Sequence, residues 1–429
     1  MKIRVIAGAA GMVVLAAATV GLAGPVLAAG SPAASEYAPA CPGPAAPGFA
    51  HCTAIQLLNP AANWHGVHAP ALPSGKRPGN KPVRSSFAGY TPADLQLAYG
   101  LTTASGSDGS GHTVAVVDAY NDPNALTDLN VYRSTEGLTP VCQVSSPPCA
   151  GPTFTKLNQT GGTSYPASST SWSEEISLDL DMVSAICPNC NILLVEANSA
   201  SFANLTTAEA TALSYSGVDA VSNSYGGSEF SGETAYNSAY NSTTAAVTVS
   251  AGDQGYGVEF PAADPYVVAV GGTTLTSPSD PGGQTVWSGS GSGCSAYEPI
   301  PVWQPVTQLC ANRTVADVSA DANPSTGVAV YDTYGESGWL VFGGTSVASP
   351  IVASVYALAG YSGSGSPTST AAKGLYASNS GLTEVTSGSN THHCTVYLCN
   401  AADSLSKQNG VLYYNGPTGN GTPNGLGGF

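Results

Sequence analysis

The sequence predicts an α/β protein built on a central, mostly parallel sheet with helices on both faces. Three observations carry this reading. Apolar runs of strand length recur at 113–118, 191–196, 219–223, 245–251 and 266–270. Helical patterns fall among and after them, at 175–186, 206–215, 235–243 and 347–359. Strands that alternate with helices are joined by crossovers, and crossovers place helices over both faces of a parallel sheet. Residues 89–429 are long enough to bury a large core as one domain.

The elements follow in chain order. Met1-Lys2-Ile3-Arg4 is a short basic start, followed by an apolar region from Val5 to about Leu22. Val26-Leu27-Ala28-Ala29 offers small residues for cleavage, so residues 1–29 are expected to be a signal peptide that exports the chain. No other run reaches membrane-spanning length. Residues 30–88 are rich in Pro, Gly and Ala and carry Lys76, Arg77, Lys81 and Arg84, which predicts a short pro-region or linker. After it, Thr113-Val114-Ala115-Val116-Val117 has the β-branched content of a buried strand. The segment S-W-S-E-E-I-S-L-D-L-D-M-V-S-A, 171–185, has the pattern of an amphipathic helix. Ala245 to Gly252 reads as a buried strand running into a tight turn, and Ile351 to Leu358 as a buried helix. There is no internal repeat.

The most informative stretch is F-G-G-T-S-V-A-S-P, 342–350. Its glycines deliver Ser346 to the start of the last apolar helix, where the dipole and unpaired N–H groups favour an alkoxide or an oxyanion. A serine so placed suits a nucleophile and needs a base. The chain has six histidines: His51, His65, His68, His112, His392 and His393. All lie in loop-like or Pro/Gly-rich surroundings, and none looks like a catalytic histidine. Carboxylates are the better candidates. Glu175 and Asp179 are four apart and share one helix face. Two carboxylates that close share a proton rather than both ionising. Spacing alone also allows a solvated acidic face, because Glu174 and Asp181 are near. Asp253 follows the strand–turn A-G at once, at the carboxyl end of a strand where α/β sites form. A raised pKa there would let it donate to an oxyanion, although a capping Asp would look the same.

Together these blocks resemble the sedolisin family, the serine-carboxyl peptidases, over roughly 89–429. The resemblance rests on Y-T-P-A-D-L-Q-L-A-Y-G at 90–100, V-A-V-V-D-A-Y at 114–120 and E-I-S-L-D at 175–179. It continues through S-A-G-D at 250–253, A-D-P-Y-V-V-A-V-G-G-T at 263–273 and G-T-S-V-A-S-P at 344–350. It implies a subtilisin-like fold. It also implies that Ser346 is the nucleophile, Glu175 the general base, Asp179 its orienting partner and Asp253 the oxyanion acid. Asp118 would be a triad member in a histidine-dependent relative, but no H-G-T-type motif follows it, so a structural role is expected. The resemblance further implies peptide hydrolysis in acid. A glutamate base with a pKa of roughly 4 ionises only modestly above that value, while Asp253 must stay protonated. Whether cleavage is internal or removes tripeptides stays open.

Two departures from the family follow. Sedolisins usually carry a long folded pro-domain, where this sequence offers residues 30–88. The family's calcium loops map onto T-E-V-T-S-G-S-N and Y-N-G-P-T-G-N-G-T-P-N-G. The resemblance thus gives Glu384, the Val385 carbonyl and Asn415 as ligands, with Glu384 and Asn415 where aspartates are usual. Calcium wants several carboxylates among six to eight oxygens, so one weakened site is expected.

Composition bounds the partners. Eleven Lys plus Arg against 27 Asp plus Glu give a net charge of −16, which disfavours nucleic acid and anionic membranes. Protein or peptide substrates remain, acted on by a monomer outside the cell. In acid the carboxylates neutralise, and few basic groups are left to repel one another. The ten cysteines fall in near pairs: 41 and 52, 142 and 149, 187 and 190, 294 and 310, 394 and 399. An even count in an exported chain predicts disulfides, with neighbour pairing the simplest connectivity. C-P-N-C at 187–190 lacks a redox context, and no spacing suits zinc. The alternative function is a non-catalytic binding or structural protein on the same fold.

Overall fold

The computed structural model describes residues 37–60, 88–143, 151–305, 309–363, 370–378, 380–406 and 413–429. The expected signal peptide lies outside them, as do Lys76, Arg77, Lys81 and Arg84 of the expected pro-region or linker. At the centre stands a nine-stranded sheet. Its strands run in space Thr285–Val286, Val268–Thr274, Ala246–Ser250, Val218–Asn223, Thr113–Ala119, Asn191–Ala197, Thr153–Asn158 and Cys142–Gln143. Val318–Asp321 also pairs with Val268–Thr274. Neighbours are parallel except at Thr285–Val286, which pairs antiparallel with Thr273–Thr274. Every residue of Thr113–Ala119 is buried, as a strand covered on both faces requires. Val116 faces Leu194 on one side and Ser222 on the other.

Helices cover both faces. Phe202–Ser214 packs on the strands Thr113–Ala119, Asn191–Ala197 and Val218–Asn223. Thr345–Leu358, buried along its whole length, crosses the strands Val218–Asn223 and Ala246–Ser250. Thr170–Ile186 packs on Thr345–Leu358 and is also flanked by the helices Pro92–Ala98 and Ala125–Thr135. That enclosure corrects the amphipathic reading of 171–185. Residues Trp172 to Ile186 are all buried, so its acidic side chains face protein rather than water.

The expected helix at 235–243 is replaced by two short 3-10 turns, Glu233–Ala235 and Asn237–Ala239. Asn and Ser compete with helical hydrogen bonding through their own side chains. Here the Asn237 amide donates instead to Glu298 Oε2 at 2.6 Å.

A second sheet has four strands in the order Tyr37–Pro39, Ile55–Leu57, Gly338–Gly343, Val328–Asp332. Residues 37–57, inside the stretch expected as a pro-region or linker, are thereby woven into the fold. Disulfides join Cys41–Cys52, Cys187–Cys190, Cys294–Cys310 and Cys394–Cys399, all neighbour pairs. Cys149 lies outside the described residues. Among the described residues no helix is long and apolar enough to cross a membrane.

Candidate active site

The carboxyl ends of the parallel strands carry the chemistry, as the topology of open α/β sheets dictates. Asp118 ends one strand, Ser224 follows another, and Asp253 follows the turn after Ala246–Ser250. Ser346 stands in the first turn of Thr345–Leu358, beyond Gly344, whose φ of 96° suits glycine. The long buried helix brings in Glu175 and Asp179 from the side.

Ser346, Glu175 and Asp179 are each 0 % exposed. The Ser224 hydroxyl donates to Asp179 Oδ1 at 2.8 Å. Burial drives the Glu175 carboxyl well above its ordinary value, Asp118 adds to this, and the Ser346 hydroxyl and the Ala54 N–H oppose it. Asp179 is raised for the same first reason, then by Asp118 and Glu175, while Ser224 favours its ionised form. Three carboxyls thus share one dry pocket, which cannot hold three charges. Neither oxygen of Asp118 has a hydrogen-bond partner among the described residues. It lies close enough to Glu175 and Asp179 to raise both. Glu174 faces elsewhere, toward Glu336 and Asp332.

Asp253 is held by one oxygen. The Thr345 backbone N–H and hydroxyl both donate to Oδ1, each at 2.8 Å. An N–H can only donate, so Oδ1 is fixed as the acceptor. Among the described residues Oδ2 has no hydrogen-bond partner, which leaves it to carry a proton. Burial of the carboxyl lifts its pKa to about 7, against the pull of Thr345. Glu259 lies close by and is lifted to about 8 by burial and then by Asp253. Glu259 lines a small cavity with Ser228, Gly252, Gly255 and Gly291.

His112 is paired with Asp219 at 3.0 Å at the opposite, amino end of the strands. His51, half-buried in the short strand His51–Cys52, is the histidine that comes nearest to Thr53 in sequence. Sequence reasoning missed Thr345 and the 51–54 segment. Thr345 was legible only as a small residue in G-T-S, and nothing in the composition of 30–88 marked Thr53. That threonine touches Ser346, its Oγ1 lying 2.8 Å from Ser346 Oγ and 2.9 Å from Ser250 Oγ.

Of the expected calcium ligands, the Val385 carbonyl and Asn415 are not arranged for a metal. Asn415 is buried, and its Oδ1 accepts from the Thr418 N–H at 3.0 Å and the Thr418 hydroxyl at 2.9 Å. The N–H fixes which end of the amide is oxygen. The amide nitrogen therefore points at the Val385 carbonyl, 3.2 Å away, and the Tyr413 hydroxyl donates to the same oxygen. Two donors face the oxygen that a cation would need. Among the described residues no group of three or more His, Cys, Asp or Glu is placed to hold a metal.

Comparison with known proteins agrees with the fold. Residues 158–392 match the subtilase family, Peptidase_S8. Kumamolisin from Bacillus sp. (strain MN-32) is 30 % identical over 306 residues, 62 % of this chain and 51 % of that protein. Sedolisin from Pseudomonas sp. (strain 101) is 37 % identical over 137 residues, 26 % of this chain and 23 % of that protein. The chain thus spans about half, or less, of the length of these curated relatives. The solved structure of Pseudomonas sedolisin, a serine-carboxyl proteinase complexed with two molecules of pseudo-iodotyrostatin, superposes with a TM-score of 0.62 at 24 % identity. It covers 79 % of this chain and 96 % of that one, and it bears on the fold.

Proposed function

We propose, from the premise that this chain belongs to the subtilase family and to its sedolisin branch, that it is an exported, acid-active serine-carboxyl peptidase. The observation that carries the reading is the placement of Ser346. It is a serine at a helix N-terminus with a buried glutamate, rather than a histidine, as the titratable group beside it. The expected signal sequence and the disulfides support export.

The geometry supports the following roles. Glu175, Asp179 and Asp118 share the protons of the cluster, and in the form where Glu175 is the ionised member it takes the Ser346 proton as the hydroxyl attacks a peptide carbonyl. Asp179, held by Ser224 and coupled to Glu175, moderates that proton's affinity; Asp118 keeps the cluster from ionising fully. The oxyanion meets Asp253 Oδ2, which carries a proton below about pH 7. Glu175 then returns its proton to the leaving amine, and water releases the acyl group by the reverse path.

The test is hydrolysis of an unfolded protein from about pH 2 to about pH 8. Wild type should peak in acid. Ser346→Ala should lose at least about a thousandfold in kcat/KM, and Glu175→Gln about a hundredfold or more. The lengths of the products separate internal cleavage from tripeptide release. A folded wild type that cleaves nothing at any pH, or equal activity in Ser346→Ala, would overturn the reading.

A further inference from the structure

A buried polar network lies on the face of the sheet opposite Ser346, behind the strand end that carries Ser224. Along residues 222–225 the side chains alternate between the two faces. Ser222 Oγ lies 3.0 Å from Ser349 Oγ, and Ser224 donates to Asp179, both on the side of Thr345–Leu358 and Thr170–Ile186. Asn223 and Tyr225 turn to the other side, toward the helix Phe202–Ser214 and its Glu209. There the Tyr225 hydroxyl donates to Asn223 Oδ1 at 2.7 Å, which bridges the Ser224 residue between them. Asn223 Nδ2 donates to the Thr248 carbonyl on the neighbouring strand at 3.3 Å. The Tyr240 hydroxyl lies 3.4 Å from that of Tyr225.

Glu209 closes this network from the helix. It is fully buried, as are Asn223, Tyr225 and Tyr240. Neither Glu209 oxygen has a hydrogen-bond partner among the described residues, and Asn223 is the group that favours its charged form. Burial lifts the carboxyl to about 8, so in acid it is neutral. A buried polar group without a strong bond costs stability, and an apolar side chain would pack there at less cost. The network meets the acid cluster at one place, Ser224. Among the described residues the Ser224 hydroxyl is the one hydrogen-bond donor to the Asp179 carboxyl, whose Oδ2 has none. A tilt of Ser224 would break that bond.

Resting on the peptidase reading above, we propose that Asn223 is a positioning residue for the acid cluster. Bridged to Tyr225 and backed by Glu209, it fixes the Ser224 hydroxyl on Asp179. Its own side chain lies across the sheet from Ser346, so it acts through Ser224 alone. The Ser346 carbonyl, 3.5 Å from Ser224 Oγ, is a competing acceptor for the same proton. Without the bridge, Ser224 turns toward that carbonyl. Asp179 then loses the bond that favours its charged form. The cluster of Asp179, Glu175 and Asp118 gives up its first proton at higher pH, because one of its ionised forms has become less stable. Glu209 acts here as a neutral partner of the Asn223 amide, a part that a glutamine can also play.

The experiment follows the Asp179 carboxyl by carbon-13 NMR of the full chain labelled at aspartate, from about pH 3 to about pH 8, with kcat and KM measured alongside. Ser224→Ala sets the reference and should raise the titration midpoint by about half a pH unit or more. Asn223→Val should raise it by a similar amount and carry the acid limb of the kcat profile upward, with KM within about twofold of wild type. Tyr225→Phe removes only the bridging hydroxyl and should shift the midpoint the same way; it carries the test if Asn223→Val does not fold. Asn223→Val combined with Ser224→Ala should shift no further than Ser224→Ala alone. Glu209→Leu should resemble Asn223→Val, and Glu209→Gln should return the wild-type midpoint. A midpoint unmoved in folded Asn223→Val or Tyr225→Phe, or shifts that add to that of Ser224→Ala, overturns this proposal and leaves the peptidase reading standing. Midpoints that move as expected in a chain whose wild type cleaves nothing uphold the link from Asn223 to Asp179 and overturn the peptidase reading.

Discussion

In the proposed mechanism Asp253 acts as an acid in a protein rich in carboxyl groups. Its two oxygens divide the work, because Thr345 claims one and leaves the other to hold the proton. Asp253→Ala should lower kcat by about a hundredfold to a thousandfold, the usual cost of one oxyanion donor. Asp253→Asn keeps an acceptor for Thr345 and still offers a donor. It should therefore retain more activity, and its pH profile should lack the alkaline limb expected of wild type near pH 7. Histidine has no comparable position. His112→Ala removes a partner of Asp219 at the far end of the sheet, so kcat/KM should stay within about twofold of wild type.

The site depends on elements that stay buried. Arg313 and Asp317 form an ion pair with both side chains 0 % exposed, its closest contact 2.6 Å. The guanidinium also donates to the carbonyls of Asp264 and Val267, and Asp317 accepts from the N–H of Ala269 on the strand Val268–Thr274. Arg313→Met would leave a charge buried without its partner and should destabilise the fold by about 3–5 kcal/mol, read from urea midpoints at constant m-value. Much of this scale was legible in the sequence. The five strands and the helices beginning near 175, 206 and 347 are present, because long apolar runs leave a chain few alternatives. The helix at 235–243 was misread because its Asn and Ser side chains find tertiary partners. The burial of 171–185 was misread because a helix enclosed on all sides can still carry acids if they pair or stay protonated. Glu175 and Asp179 were legible as neighbours on one face, whereas their coupling to Asp118 depends on packing that no local pattern records. The strand His51–Cys52 was illegible, since two residues of pairing leave no periodicity in a Pro/Gly/Ala-rich stretch.

Across the whole molecule, burial has raised many carboxyl pKa values together. Asp122, Glu136, Glu196, Asp253 and Asp332 are lifted to about 7, and Glu174, Glu209, Glu233 and Glu259 to about 8. A group whose folded pKa exceeds its unfolded one stabilises fully below the unfolded value, near 4. That contribution is lost as the pH rises through the folded value. Tm should therefore be highest in acid and fall from about pH 4 toward pH 8, the reverse of ordinary acid denaturation; a Tm rising over that range would contradict this account. The loop around Asn415 fits the same habit. Carboxylate ligands lose a metal when acid protonates them. Asn415, Thr418, the Val385 carbonyl and the Tyr413 hydroxyl hold one another with groups that do not change charge in that range. A chelator should leave Tm unchanged in acid, as added calcium should. A clasp of neutral groups frees the fold from its surroundings' mineral supply, so that working in acid and holding together in acid make no competing demand on the same side chains.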